Sequence, residues 1–248
     1  MDPRYVRNQI HISNSAQQRF KDFSILIAGC GIGSYIAECL LRMGFENLTI
    51  VDGDYVELTN LNRQNYVEAD IGMNKALVLQ KRLLAINPQA NITAIPRFIT
   101  IDNLYEFDME YSVAVNALDF DSDIPFLFDE TCRQAGIPVI HPYNLGWAGF
   151  VTVLTSDSHG IQSLEREHKV FEMNVGQFIL GSLEKQSIST DWFENFLKEY
   201  GEVALTSPPP QLSIGVNILS GMVAHIVSDI ATDKVVKKFP ESYYLSIA

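Results

Sequence analysis

Cysteine is scarce in this chain. Cys30, Cys39 and Cys132 are the only three in 248 residues. None forms a C-x-x-C pair and none has a histidine at metal-ligand spacing, so no structural zinc is expected. Basic residues are the second shortage: 18 Lys and Arg stand against 30 Asp and Glu, a formal charge of −12. Neutralising phosphates by bulk attraction takes a basic face. Neither nucleic acid nor an anionic membrane is therefore an expected partner, although tRNA stays open, and an anionic substrate must meet a local cluster of Lys and Arg. The opening MDPRYVRNQIHIS has no apolar stretch and no small-residue cleavage site, which reads as a cytoplasmic protein without a secretory signal. Long hydrophobic runs are also few. Ser213 to Ala231 is the most apolar long stretch, but Asn217, His225 and Asp229 interrupt it, so a buried helix is expected rather than a membrane span. There is no internal repeat and no low-complexity tract.

With 47% apolar residues, the chain can bury the core of one large domain, or of a domain with an insert. Strand and helix patterns alternate over residues 1–155, as in a doubly wound, mostly parallel α/β sheet of the Rossmann-like kind. Ser24 to Ile27 is a buried-strand run, and Ile32 to Met43 is helical up to a C-cap at Gly44. Leu48 to Val51 is the second strand and Asn91 to Ile95 the third, with a helix over about Asn74 to Ile86 between them. Tyr111 to Val115, Ile137 to Ile140 and Phe150 to Leu154 read as further strands, with a helix from about Ile124 to Ala135. Residues 156–206 are polar and aperiodic, with one amphipathic helix around Trp192 to Tyr200, and read as an insert or lid. Residues 207–248 supply the long C-terminal helix, which packs back on the core, and a tail.

The turn after the first strand is Ala28-Gly-Cys-Gly-Ile-Gly-Ser34. Glycines there let backbone approach a phosphate at a helix N-terminus. One ungapped G-x-G-x-x-G register falls on Ala28, Cys30 and Gly33; the other begins at Gly29 and Gly31 and is one residue short. A tight turn without a ligand is the alternative. Asp52 ends the second strand, where an acidic side chain can accept bonds from a ribose. To this point a nicotinamide-dependent oxidoreductase fits as well. The polar, Arg-bearing loop from Asp52 to Gln64 does not suit that fold.

Asp52-Gly-Asp-Tyr-Val-Glu-Leu-Thr-Asn-Leu-Asn-Arg-Gln64 resembles the D-x-D-x-V-x-x-x-N-L-N-R-Q element of the ThiF/MoeB family, which includes the ubiquitin-activating enzymes. Other landmarks of that family occur in order. They are Arg4-Tyr-Val-Arg-Asn8, then Gln17, Ile71-Gly-Met-Asn-Lys-Ala76, Ile86-Asn-Pro88 and Asn116-Ala-Leu-Asp119. The resemblance implies an ATP-dependent adenylyltransferase. It puts Gly29, Gly31 and Gly33 in the phosphate turn, Asp52 at the ribose, and Asn60, Arg63 and Lys75 at the phosphates, with Gln64 in the same site. It further implies Asp119 as a ligand of Mg2+ and Arg7 at the nucleotide of a neighbouring subunit, hence a homodimer. The chemistry agrees, because a carboxylate attacking an α-phosphate must overcome charge repulsion and the leaving pyrophosphate needs cations placed in advance. In isolation Arg63 and Lys75 would read as solvated surface charges and Asp119 as a helix N-cap.

The implied substrate is a terminal carboxylate: the C-terminus of a ubiquitin-like or sulfur-carrier protein, or of a ribosomal peptide. A small-molecule or tRNA-borne carboxylate comes second. The family's zinc-binding C-x-x-C pairs are missing, and no cysteine after Cys132 could take the acyl group as a thioester. Cys132 itself reads as a small buried hydrophobe in a core helix. The thinned glycine loop leaves a non-catalytic binding subunit of the same fold as a rival. His141 and His159 have no acid at catalytic spacing and carry no assigned chemistry. The Trp147 and Phe150 region reads as core packing in preference to a groove for the substrate tail.

Overall fold

The computed structural model describes residues 2–107, 110–164 and 170–247. The strands are β1 (Ser24–Ala28), β2 (Asn47–Val51), β3 (Asn91–Ile95), β4 (Val113–Asn116), β5 (Val139–Asn144), β6 (Ala148–Leu154) and β7 (Tyr243–Ser246). They form one sheet in the order β3-β2-β1-β4-β5-β6-β7. The first five strands run parallel, and β6 and β7 add antiparallel. This is the doubly wound arrangement expected from the alternating pattern. Its strand order reverses between β1 and β4, which opens a crevice at the carboxyl ends of those strands.

The helices are α1 (Asn14–Asp22), α2 (Gly33–Met43), α3 (Lys75–Ile86), α4 (Ile124–Gln134), α5 (Phe171–Lys185), α6 (Asp191–Val203) and α7 (Ser213–Ala231). Period-two alternation sends strand side chains to two cores. Ile25, Ile27, Leu48 and Ile50 join residues of α2, α3 and α7 on one face. Leu26, Ala28, Ala114 and Val139 meet Phe128 and Cys132 of α4 on the other. Burial pushes the Cys132 thiol up to about 12, as suits a packing residue.

Several family landmarks prove to be scaffold. Gly44 ends α2 with φ 102°, and the helix-end carbonyl of Met43 accepts from Gln17 Nε2 at 2.9 Å and Asn8 Nδ2 at 3.2 Å. Asn87 Nδ2 donates to Tyr5 Oη at 3.1 Å and to Glu46 Oε1 at 3.0 Å. These bonds tie the N-terminal residues to the ends of α2 and α3. By length and composition α7 could cross a membrane. In this fold its Val216, Leu219, Val223 and Val227 are buried in the core. Gly149 of β6 admits it closely: a Cβ there would sit 3.0 Å from the Ile218 and Met222 side chains.

The sheet departs from the sequence reading in places. The fourth strand is Val113–Asn116, not Tyr111 to Val115, and the fifth extends to Asn144. Residues 156–206 hold two helices where one was expected. The expected one lies within α6; α5 was missed because Met173, Val175, Ile179, Leu180 and Leu183 are buried against a third core that it shares with α6. A helix covered on more than one side shows little amphipathic period. Gly176 of α5 admits Leu197 of α6, which would lie 2.6 Å from a Cβ. The short edge strand β7 also gave no clear pattern. Phe150 is buried as expected, whereas Trp147 is about half exposed at the turn between β5 and β6.

Candidate active site

A cavity of about 490 Å³ opens at the carboxyl ends of β1, β2 and β4. Gly29 and Gly31 come from the turn after β1, Asp52 and Asp54 from the end of β2, and Asp119 and Asp121 from the loop after β4. Asn60, Arg63, Gln64 and Lys75 reach it from the Asp52–Lys75 segment. Of the ten residues implied for the site, Gly33 and Arg7 do not line the cavity. Gly33 instead permits helix-to-strand contact, since a Cβ there would be 2.9 Å from Ile27 Cγ2. Arg7 is exposed on the 3-10 turn Pro3–Asn8.

Geometry explains the glycines of the turn. Gly29 has φ 90°, and a Cβ there would collide with the Ala117 carbonyl. Only glycine fits that turn. At Gly31 a Cβ would be 3.1 Å from Gln64 Nε2, so this second glycine lets the 53–74 loop close over the turn. The glycines whose missing Cβ the packing requires are Gly29, Gly31 and Gly33, spaced one residue tighter than G-x-G-x-x-G. Ser34 locks the two loops together by donating Oγ to the Gly31 carbonyl at 2.7 Å and accepting from Asn65 N–H at 3.0 Å.

Each charged group has a cause for its position. Asp52 accepts from Cys30 N–H and Asp54 N–H, both at 2.7 Å. Burial raises its carboxyl above the ordinary Asp range against those two bonds. Asn74 caps α3 by accepting from Leu77 N–H at 3.2 Å, and donates to the carbonyls of Asp52 and Asp54 at 3.1 Å each. That places Lys75 at the helix start, with Nζ 3.1 Å from Asp54 Oδ2 and its side chain only 9% exposed. Asn60 closes a 3-10 turn by accepting from Glu57 N–H at 3.0 Å; its carbonyl receives the N–H groups of Arg63 and Gln64. Arg63 donates Nε to Gln211 Oε1 at 2.9 Å, and one terminal nitrogen to the Thr59 carbonyl at 2.9 Å and Asn62 Oδ1 at 2.8 Å. Gln64 Oε1 is buried without a hydrogen-bond partner among the described residues, an orphan that a ligand in this cavity would satisfy.

Asp119 is exposed at the cavity rim; partial loss of water there raises its carboxyl, Lys75 lowers it in part, and Asp121, Asp54 and Asp52 raise it again. The cavity is a crowd of carboxylates held beside a few fixed cations. Such an arrangement suits a polyanionic ligand that arrives with its own cation.

Other lining residues escaped the sequence reading. Asp54, inside the quoted loop, is the partner of Lys75. Arg97 and Phe98 follow β3; the Phe98 ring lies 2.5 Å from where a Cβ of Gly53 would be. An exposed aromatic directly after a strand end was the available signal. Gln211 arrives from far along the chain and had none. His141, read as lacking an acid, has Nε2 2.8 Å from Asp129 Oδ1, and both side chains are buried. Asn116 Nδ2 donates to the same Asp129 oxygen at 2.8 Å and to the Pro125 carbonyl at 2.9 Å. This buried network pins α4 to β4 and β5 behind the Asp119 loop.

A second groove, about 610 Å³, adjoins the cavity and shares Arg63, Leu118, Asp119 and Gln211 with it. Its far walls come from α5 and α6.

The chain is 31% identical over 164 residues to the sulfur carrier protein ThiS adenylyltransferase of Bacillus subtilis (strain 168), covering 64% of this chain and 48% of that protein. It is 36% identical over 128 residues to the tRNA threonylcarbamoyladenosine dehydratase of Escherichia coli (strain K12), covering 50% of this chain and 47% of that one. It thus spans about half the length of these curated relatives. The crystal structure of E. coli MccB with ATP matches in fold at TM-score 0.72 and 18% identity, over 100% of this chain and 72% of that one. The pattern of the ThiF family matches residues 5–244, nearly the whole described chain, and this protein therefore belongs to the ThiF family.

Proposed function

We propose that this chain is an ATP-dependent adenylyltransferase. A carboxylate oxygen of the substrate attacks the α-phosphorus of ATP; the bond from that phosphorus to the bridging oxygen of the β-phosphate breaks, and pyrophosphate leaves. The observation that carries the reading is the convergence of Arg63, Lys75 and Asp119 on one cavity at the strand-order reversal. Lys75 is a point charge and Arg63 a planar fork, and both suit phosphate oxygens. The backbone at Gly29 and Gly31 approaches the phosphates, Asp52 receives the ribose hydroxyls, and Asn60 and Gln64 complete the site. Phe98 offers an aromatic wall beside them.

Mg2+ would neutralise charge on the phosphates. Among the described residues no group of three or more His, Cys, Asp or Glu could hold a metal, so the ion would be held by Asp119 together with the nucleotide's own oxygens. The raised Asp119 carboxyl fits that role, since a cation beside it would restore its ionised form.

The substrate class is the C-terminus of a ubiquitin-like or sulfur-carrier protein or of a peptide, in keeping with the named activity of the 31% identical relative. Residues 1–155 bind the nucleotide, and 156–206 face the substrate. The protein works in the cytoplasm as a homodimer. Tyr55, Leu58, Val67, Met73 and Leu77 are large, apolar and exposed along one segment, an extent of surface that an interface would cover. Arg7 then serves the partner's nucleotide.

ATP–pyrophosphate exchange with candidate peptides is the test, with Asp119→Ala alongside. Exchange that the variant abolishes supports adenylation. ATP binding without exchange on any carboxylate would make the chain a non-catalytic binding subunit. Mixing Arg7→Ala with Lys75→Met protomers should restore exchange, whereas two inert pools that stay inert on mixing would remove Arg7 from the neighbour's site.

A further inference from the structure

The groove beside the nucleotide cavity is walled by aromatic rings. Phe120, Tyr143 and Phe171 form one row, with ring centroids 4.6 Å apart for Phe120 and Phe171, and 6.4 Å apart and nearly parallel for Phe120 and Tyr143. Phe193, Phe196 and Tyr200 of α6 form a second stacked row with centroids 6.0 and 5.9 Å apart; Phe193 and Tyr200 back the wall from the core, and Phe196 is the partly exposed ring. Three carboxylates edge this apolar space: Asp119, Asp121 and Glu172. Arg63, at the end shared with the nucleotide cavity, is the only lysine or arginine among the described lining residues. Glu172 sits in the first turn of α5 and is more than half buried; its carboxyl is raised by burial and then by Asp119 and Asp121.

A terminus of small residues would leave the space between these rings unfilled and Asp121 and Glu172 unanswered. The geometry points to a substrate whose terminal residue carries a large aromatic or aliphatic side chain that fills the groove, with a basic side chain just before it that faces Glu172. This specificity rests on the adenylation reading for the place of the carboxylate, near Asp119 where groove and cavity meet. Filling an apolar pocket with one large side chain gives on the order of tenfold to a hundredfold in affinity. Aromatic pairs between ligand and wall add to it. The basic side chain gains most from Glu172, because that carboxylate is removed from bulk water.

The test uses the full chain with a non-hydrolysable ATP analogue and fluorescent peptides that differ only in their last two residues: Lys-Phe, Gln-Phe, Lys-Gly and Gly-Gly. Lys-Phe should bind at least tenfold tighter than Gly-Gly, with Gln-Phe and Lys-Gly between. Glu172→Gln should erase the difference between Lys-Phe and Gln-Phe and keep the preference for Phe, and Phe196→Ala should reduce that preference. Tighter or equal binding of Gly-Gly overturns the assignment, as does failure of every peptide to bind while the nucleotide analogue does. Pyrophosphate exchange on the same peptides separates the two claims. Selective binding without exchange sinks adenylation and keeps the groove assignment; exchange on Gly-Gly alone does the reverse.

Discussion

Replacing Lys75 by Met would separate binding chemistry from stability. The ammonium is nearly buried, yet its partner Asp54 is 50% exposed, so water can resolvate the carboxylate that is left behind. The stability cost should therefore stay near that of a surface pair, about 0–1 kcal/mol, and not the roughly 3–5 kcal/mol of a stranded buried charge. In a chain of this size about 1 kcal/mol shifts the Tm by roughly 2–4 °C. Catalysis should suffer more. A hydrogen bond to a charged group contributes about 1.5–3 kcal/mol, which is roughly a 10- to 150-fold loss in rate or affinity. The loss should fall at the upper end, because Lys75 also favours the ionised forms of Asp52 and Asp119. Initial rates of pyrophosphate exchange, ATP affinity from a fluorescent analogue and a thermal melt would be measured on the same preparation. Wild-type exchange in Lys75→Met would refute the phosphate role. A Tm fall of more than about 10 °C would show that the residue is a structural keystone instead.

The remaining predictions test the turn, the metal ligand and the cation fork. Gly29→Ala must place a Cβ against the Ala117 carbonyl at φ 90°; it should destabilise by at least about 1–3 kcal/mol in urea unfolding, and an unchanged midpoint would contradict the strain. Asp119→Asn should lower exchange by about 10²-fold or more while raising stability at neutral pH only slightly, since the side chain is exposed to water. The sign follows from the raised folded carboxyl: the unfolded chain ionises first, so this group's contribution falls as pH climbs from its ordinary 3.8 to the folded value, and Asn removes that loss. A neutral-pH melt that drops for Asp119→Asn would reverse the account. Arg63→Lys keeps the charge but loses the fork held between Gln211 and Thr59; exchange should fall about tenfold or more with little change in melting, and full activity would mean that charge alone suffices.

Residues 1–155 were legible because their determinants are local. Strand runs, the Gly44 stop and the 52–64 motif each declare themselves within a few residues, and the parallel sheet follows from their alternation. What stayed hidden depends on contacts far apart in sequence. The pairing of His141 with Asp129 needs β5 to lie beside α4, and Gln211 reaches Arg63 only after α7 is placed. Helix α5 is apolar on more than one side because two neighbours cover it, which erases the periodicity by which a helix is read. Gly33 does not line the cavity and sits against Ile27 instead, because motif spacing does not say which glycine faces the open side of the turn. The same limit applies to Asn8, Gln17 and Asn87, whose place among the family landmarks reflects helix ends tied together.

Ser34 has a consequence for how a nucleotide would bind. Its hydroxyl joins the glycine turn to the 53–74 segment, and Asn60 and Asn74 already hold that segment's backbone through their side chains. The receptor is thus ordered before the ligand arrives, and little chain entropy is lost on binding. The free energy of contact remains available for affinity and for the reacting phosphate. Ser34→Ala should reveal that saving as a less favourable entropy of binding in calorimetry, with the contacts to the ligand themselves unchanged.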